Sequence, residues 1–508
     1  MDDMERKEAV PPWSDRYLSP ETPQGSREYP AGKKELIFGT AILLLSFFLC
    51  NSIVYGGFNL GFSLGLCLCI LCGSGYLLAG GHKLTPYSSI LLLLSLFIGA
   101  GFARSDDGFV KFIMLCFLFV SSNLALTVLA GKPRHRTCSF ATLLDAFYTA
   151  FAHSFFLTSA FGGLRTAFRK SGTAAKKGGA ILTGVIIAVP LLLIMVFLLV
   201  RADAAFEGLM DLLPELDLTE VLITALFGTM LACLLYTKGT SLHCRESSSA
   251  ERTERKGVSA LTVNTVLIAV CLVYLVYLFS QLAYFAGGFA GILPDGYTMA
   301  EYARRGFFEM AWLCAINLGI IALGIALVEK KEHAPLSARL LCLFISVITV
   351  FLVAAASGKM FLYIGTYGLT RLRVLTQVIM LFLCLSTVLV AVWLFVPKLP
   401  YMKWVIIAAL IIGGVVFWAD VDTVVARYNV NAYLSGKVES VDVEHLGCLN
   451  GAAIPHIAEL AEKAPDPEVR ERSQDLLDHW YYAEPNDFRD WNYIRQLVQP
   501  YLPEQKDN

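Results

Sequence analysis

The chain has 508 residues, of which 56% are hydrophobic and 16% are charged, and its formal net charge is −1. Because about a quarter of the residues in soluble domains are charged, this composition excludes an ordinary soluble protein, and the near-zero net charge gives no electrostatic case for a nucleic-acid partner. We therefore expect an all-α fold: a polytopic transmembrane helix bundle of about 11 spans, with a small helical soluble module at its C-terminal end.

The first 35 residues are polar and rich in proline and charge. They lack the short apolar run of a secretory signal, so residues 1–35 are predicted to form an uncleaved, disordered cytoplasmic tail. The first apolar helix then acts as the signal for membrane insertion.

The apolar stretches follow between residues 36 and 419, and most are about twenty residues long. A helix of that length matches the roughly 30 Å hydrocarbon core of a bilayer, because it rises about 1.5 Å per residue. The predicted spans of this transmembrane domain are Leu36–Tyr55, Phe58–Leu78, Tyr87–Ala103, Phe109–Ala130, Ala180–Val200, Leu218–Tyr236, Leu261–Phe285, Phe307–Val328, Ala338–Ala356, Val374–Val396 and Trp404–Ala419.

Lys and Arg concentrate in alternate connections, which predicts a cell membrane protein with its N-terminus inside and its C-terminus outside. The long fourth connection is the uncertain step, since it carries Phe147, Phe151 and Phe155 at a spacing of four residues. An amphipathic helix near 140–168 that lies in the inner interface is preferred here over a re-entrant or spanning helix. A span would place the basic loop Arg245–Lys256 outside, against the charge rule.

Residues 420–508 hold 17 acidic and 8 basic side chains, a net charge of −9, and predict an acidic helical extracytoplasmic module. One helix is predicted to begin with Asp466 as N-cap and Pro467 at the first helical position. Another is predicted around Trp491 and Ile494. Because a module of this size forms only a small core, we expect it to dock against the membrane domain. Membrane lipids are the expected partners of the bundle, and the module is the candidate surface for an envelope protein partner.

Short motifs point to no cofactor, metal or catalytic group. The sequence lacks a zinc-protease motif, a phosphate-binding loop and a dinucleotide fingerprint, and none of its eight histidines lies in a predicted span. Cys67, Cys69 and Cys72 lie in a predicted span, where a thiolate ligand would have to form within hydrocarbon, so they are expected to be packing residues.

Glycines at positions 57, 61 and 65, just before and within the second predicted span, are spaced by four residues. This spacing predicts a smooth helical face, which allows a neighbouring helix to approach closely.

Charged side chains gather at the predicted outer ends of the later helices. Arg305 and Glu309 are one helical turn apart where the eighth span enters the membrane, and an ionised carboxylate at that depth is costly unless it is paired. A structural ion pair and a polar pocket or ion path both remain open. The candidate outer polar cluster consists of Asp203, Tyr302, Arg305, Glu309, Tyr367, Arg371, Arg373, Asp420, Asp422, Arg427 and Asn429.

Several of these segments also carry a family resemblance. The stretches EYARRGFFEM, YGLTRLRV, ADAAF after the fifth span, ARYN after the last span and the late Asp490-Trp491-Asn492 resemble landmarks of a bacterial polytopic membrane family catalogued as domain of unknown function four-one-seven-three. The resemblance rests on motifs from the fifth span onward and on hydropathy alone before it. It implies a multi-pass membrane protein, and it brings no activity, substrate or catalytic residue with it.

Three functional hypotheses follow. The first is a non-catalytic envelope scaffold or sensor, whose membrane domain holds the acidic module at the outer surface. The second is a transporter or lipid-handling permease with its site near Arg305 and Glu309. It ranks lower because charge at mid-membrane depth is scarce, and the main polar residues in the spans are Asn123, Asn264, Asn317 and Gln377. A membrane-embedded enzyme comes third, because no nucleophile, metal ligand set or acid–base pair is recognisable.

Overall fold

The protein is represented by a computed structural model that describes residues 33–131, 218–244, 259–289, 307–327, 335–480 and 487–501, together with Met195. Across these ranges the regular secondary structure is α-helix with three short 3₁₀ turns, and no strand is present. This confirms the predicted all-α class.

Ten long helices form the apolar part of the described chain. They are α1 Lys33–Gly56, α2 Leu60–Ala79, α3 Pro86–Ala100, α4 Gly108–Leu129, α5 Leu218–Cys244, α6 Ala260–Phe289, α7 Phe307–Leu327, α8 Leu336–Tyr367, α9 Arg371–Phe395 and α10 Tyr401–Ala419. Within the described ranges, nine segments are long and apolar enough to cross a bilayer, and α7 contributes the shorter apolar stretch Met310–Ile325. The chain is therefore a multi-pass membrane protein.

Two predictions about the membrane domain lie outside the described residues. They are the span Ala180–Val200, apart from Met195, and the interfacial helix near 140–168. The total of eleven spans therefore stays a prediction, as does the tail at residues 1–35.

Two of the predicted spans end too early. The helix α5 continues to Cys244 rather than ending at Tyr236, and α8 continues to Tyr367 rather than ending at Ala356. A span predicted from hydropathy ends at the first polar residues, whereas a helix continues for as long as its backbone hydrogen bonds are formed. As a result His243 lies in a candidate span, contrary to the expectation that no histidine does.

The long helices fall into two groups that α10 joins. In the first group, α1 packs against α2 and α5, and α2 and α4 pack against α3. In the second group, α8 packs against α6, α7 and α9. The connecting helix α10 contacts α3 and α4 on one side and α9 on the other, so the apolar domain has two halves.

Helix pairing defines the two ends of the bundle. The basic end carries Lys34 and Lys83, and the opposite end, here called the docking end, carries Asn59 and Asp107. The helices α1 and α5 run antiparallel, because Gly239 lies against the Phe38 ring while Gly228 lies against Phe47. Gly131, after α4, and Leu218, at the start of α5, consequently lie at opposite ends of the bundle.

The predicted close approach at the glycines of α2 is confirmed at two positions. A Cβ atom at Gly61 would lie 2.7 Å from the Ser52 hydroxyl, and one at Gly65 would lie 2.7 Å from Cδ1 of Leu49. Both neighbours belong to α1, so the small residues allow the two helices to touch. Gly57 has a φ of +61° and instead forms the turn between them.

The segment after Ala419 folds into short helices that share a core with the second half of the bundle. Buried Ile364 of α8 and Met380 of α9 belong to the same apolar cluster as Val425 and Ile457. The predicted cap is confirmed, because the Asp466 carboxylate accepts the N–H of Glu468 at 3.0 Å. The short helices are α11 Val421–Leu434, α12 Val443–Gly447, α13 Ile454–Lys463, α14 Pro467–His479 and α15 Tyr493–Val498.

Candidate functional site at the docking end

Arg371 binds carboxylates from two distant parts of the chain. The guanidinium stands in the first turn of α9 and donates through Nε and Nη2 to the two oxygens of Asp422. Its Nη1 lies 3.2 Å from Oδ2 of Asp107. Oδ2 of Asp422 also accepts the backbone N–H of Asn450 at 2.8 Å. Arg371 therefore connects the start of α4 to α11 and to the turn before α13.

Asp420 is the single residue between α10 and α11. Its φ of +53° turns the chain sharply, a conformation that aspartate tolerates better than most residues. Its carboxylate caps α11 by accepting the N–H groups of Asp422 at 3.1 Å and Thr423 at 3.3 Å. Burial raises the pKa of the Asp420 carboxyl above its ordinary value, an effect that these hydrogen bonds oppose.

Asn429 and Arg373 fix the turn between α8 and α9. The Asn429 side chain accepts the N–H of Leu369 at 2.7 Å and donates to the carbonyl of the same residue at 2.8 Å. Arg373 donates to the Tyr367 carbonyl at 2.9 Å. A Cβ atom at Gly368 would lie 2.7 Å from the Asn429 oxygen, so this turn requires glycine.

The predicted outer cluster is thus partly accounted for. The structure brings Arg371, Asp420 and Asp422 together, and it gathers Tyr367, Arg373 and Asn429 in the neighbouring turn, whereas Arg427 is exposed on α11. Asp203, Tyr302 and Arg305 lie outside the described residues, and so does the side chain of Glu309. The proposed Arg305–Glu309 ion pair therefore stays a prediction.

Asn59 precedes α2, is 3% exposed, and is a further residue of this site that no sequence motif indicates. Its Oδ1 accepts from Lys111 at 2.9 Å and from Asn492 at 3.0 Å. Its Nδ2 donates to the Gly56 carbonyl at 2.8 Å and to Asp490 at 2.7 Å. All four hydrogen-bonding positions of the amide are therefore occupied.

The C-terminal segment caps α2 with its backbone. The first N–H groups of a helix have no partner within the helix. In α2, the N–H of Leu60 donates to the Trp491 carbonyl at 3.1 Å, and that of Gly61 donates to the Arg489 carbonyl at 3.0 Å. A Cβ atom at Gly56 would lie 2.6 Å from the carbonyl carbon of Arg489, so the chain approaches α1 without a gap.

Charged pairs flank this cap. Arg495 lies 3.2 Å from Asp106 in the α3–α4 turn and 3.3 Å from Asp490. Arg489 binds Asp487 and stands 4.7 Å over the Tyr55 ring. The Arg489 guanidinium lowers the pKa of the Asp487 carboxyl. We call residues 487–495, with the α1–α2 and α3–α4 turns that they contact, the docking seam.

One signal in the sequence did point to the docking seam. The Asp490-Trp491-Asn492 stretch is one of the family landmarks, and all three of its residues contact α2 or the turn before it. Its partner Asn59 is a short polar residue in a turn, and so is Asp106, the partner of Arg495; neither belongs to a distinguishing pattern.

The polar groups of the docking end are used in contacts between parts of the same chain. Salt bridges and amide hydrogen bonds join the two turns of the first half, the start of α9 and the C-terminal segment. Among the described residues, no group of three or more His, Cys, Asp and Glu side chains is placed to hold a metal ion. The arrangement observed here is suited to holding segments together.

Comparison with protein families gives one match. The model of the family described as Domain of unknown function (DUF4153) matches residues 90–460, well over half of the chain. The resemblance to a family of unknown function is thereby confirmed, although the number of the matching family is four-one-five-three and differs from the one suggested by the motifs. No curated protein and no solved structure matches the chain.

Proposed function

We propose a function for this chain, which belongs to the DUF4153 family. It is a non-catalytic scaffold or sensor of the cell envelope, and its helix bundle holds the acidic C-terminal module at the outer surface of the cell membrane. The observation that carries the proposal is the docking seam. Charged and amide groups that would have to be available to a substrate are paired instead with the C-terminal segment of the same chain.

The contacts of that segment support a static holding role. Helices α11 to α14 lie on the second half of the bundle, through the core that includes Ile364 and Met380. Residues 489–495 dock onto the turns of the first half. One continuous segment therefore bridges both halves at a single end, and it opposes relative movement of the halves there.

The distribution of charge supports the proposed orientation. Within the described ranges, the basic end carries Lys33, Lys34, Lys83, Lys238, Arg339, Lys398 and Lys403, against the single carboxylate of Glu35. Positive charge is retained on the cytoplasmic side of spanning helices. The docking end and the acidic module would then lie outside the cell.

A transporter or lipid-handling permease is the alternative, and a locked variant separates the two. Cysteines at positions 106 and 495 would replace the ion pair, and a reducible bifunctional thiol reagent would link them across the docking seam. A scaffold should still complement a deletion strain when this link is closed. A carrier that works by rocking its two halves should stop, and the same variant in its reduced form is the matched control.

The opposite variant releases the segment. Gly56→Ala places a methyl group against the Arg489 backbone and removes no hydrogen-bonding side chain. A scaffold should lose complementation when residues 489–495 are displaced from the first half, although the bundle is still made and inserted. Complementation by the released variant, together with failure of the locked one, would reject the scaffold in favour of the carrier.

A further inference from the structure

Lys238 places a cation between two helices of the bundle. It is the only charged residue between Glu220 and His243 in α5. Lysine near the end of a spanning helix usually extends towards the headgroups. Lys238 instead reaches across to α4, where its ammonium donates to Oδ1 of Asn123.

This ammonium is incompletely partnered within the described part of the chain. It offers three N–H donors, and the Asn123 oxygen is the acceptor that it uses there. No carboxylate of the described residues forms an ion pair with it. Because a desolvated cation is costly without an opposite charge, the site favours an anion.

The depth of Lys238 fits a lipid headgroup. With 27 residues, α5 is about 40 Å long, which exceeds the roughly 30 Å hydrocarbon core. Lys238 precedes Gly239, which lies against the Phe38 ring, and Lys34 of α1 is one helical turn from Phe38 towards the basic end. Its ammonium is therefore near the level at which phosphate groups begin.

Exposed apolar strips lead away from the polar pair on both helices. Eight and eleven residues before Lys238, on the same face of α5, Met230 and Phe227 are 44% and 49% exposed. Eight and eleven residues before Asn123, on the same face of α4, Leu115 and Phe112 are 37% and 61% exposed. The helix α2 packs against both α4 and α5.

We propose that Lys238 binds the phosphate group of an anionic phospholipid, whose acyl chains lie along the apolar strips of α4 and α5. The ammonium supplies charge and hydrogen bonds. Asn123 is 4% exposed and positions this ammonium through its Oδ1. This site is at the basic end, so it is separate from the docking seam and independent of the scaffold proposal.

The test measures lipid preference with the full chain purified in detergent. Phosphatidylglycerol and phosphatidylcholine are titrated in mixed micelles, and binding is followed by native mass spectrometry. The wild-type chain should bind phosphatidylglycerol at least tenfold more tightly than phosphatidylcholine. Lys238→Met should abolish this preference, and Lys238→Arg should keep it. The matched control is Lys403→Met at the same end, where Lys403 stands 5.0 Å over the Tyr87 ring, and it should leave the preference unchanged.

Asn123→Asp gives an independent check if Lys238→Met fails to fold. The new carboxylate would pair with the ammonium inside the protein, so the chain should fold but lose its preference for the anionic lipid. A preference that persists in Asn123→Asp or Lys238→Met would overturn the proposal, as would its absence in the wild type. Equal binding of inorganic phosphate and phosphatidylglycerol would also overturn it, since the site would then serve free phosphate.

Discussion

Asn492 and Asn59 are 433 positions apart in the sequence and share a hydrogen bond of 3.0 Å between Nδ2 of the first and Oδ1 of the second. Asn492 also donates to the Ser105 carbonyl at 2.8 Å. A single buried side chain therefore ties the C-terminal segment to two turns of the first half of the bundle.

Removal of the Asn492 amide should weaken this tie. In Asn492→Ala, the buried Asn59 oxygen and the Ser105 carbonyl each lose a donor, which should cost about 1–3 kcal/mol. Thermal unfolding in detergent measures the effect, and a double-mutant cycle with Asn59→Ala should give a coupling energy of about 1 kcal/mol. The exposed Asn431→Ala should change stability by less than about 0.5 kcal/mol. Additive effects of the two seam variants would contradict direct pairing.

Steric exclusion at Gly56 gives a second prediction. Gly56→Ala should displace the C-terminal segment, because the added methyl group would lie 2.6 Å from the Arg489 carbonyl carbon. Limited proteolysis should then cut near residue 489 faster than in the wild type. Gly75→Ala in α2 is the control, since nothing lies within 4 Å of the added atom. Equal rates of cleavage in the two variants would show that the segment is not held against Gly56.

The two aspartates after α10 should respond in opposite ways. Asp422→Asn removes the bidentate partner of Arg371 and should cost about 2 kcal/mol. Asp420→Asn keeps an oxygen that can cap α11, and asparagine also tolerates the positive φ, so its stability at neutral pH should equal or exceed that of the wild type. The midpoints of thermal unfolding test this contrast.

The raised pKa of Asp420 sets the direction of its pH dependence. Burial raises this pKa in the folded state, so the folded chain takes up a proton at a higher pH than the unfolded chain does. The destabilisation caused by the buried charge is present above the raised pKa and disappears as the pH falls through it. The difference in stability between Asp420→Asn and the wild type should therefore shrink at lower pH. A difference that grows on acidification would contradict this assignment.

Topology can be tested with the exposed Cys448 of the C-terminal module. If the docking end faces outward, a membrane-impermeant thiol reagent should label Cys448 in intact, wall-stripped cells. A cysteine introduced at the exposed Lys83, at the basic end, should react only after the membrane is opened. The reverse pattern of labelling would invert the proposed orientation.

The apolar helices could be predicted because a span has to satisfy a length and a composition. Their ends were less predictable, as Lys238 shows: its charge suggested that the span had ended, yet α5 continues and directs the side chain towards Asn123. The N-cap at Asp466 could also be predicted, because the start of a helix depends on the residues next to it in the sequence.

The docking seam could not be predicted in the same way. Its contacts join residues more than 380 positions apart, and Asn59 looks like any polar residue in a turn. Asp107 gives no signal of a second role, because capping α4, where it accepts the N–H of Val110 at 2.8 Å, accounts for an aspartate at that position. Only the folded chain reveals that the same carboxylate also reaches Arg371.

The cap on α2 has a consequence for how the protein is made. The carbonyls that accept from Leu60 and Gly61 belong to residues translated more than 400 codons later. At roughly 5–20 residues per second, the ribosome needs on the order of 20–90 s to reach them. During that interval the start of α2 must rely on water or on another protein for its hydrogen bonds. A nascent chain that stalls before Arg489 would leave the bundle inserted without the cap on α2.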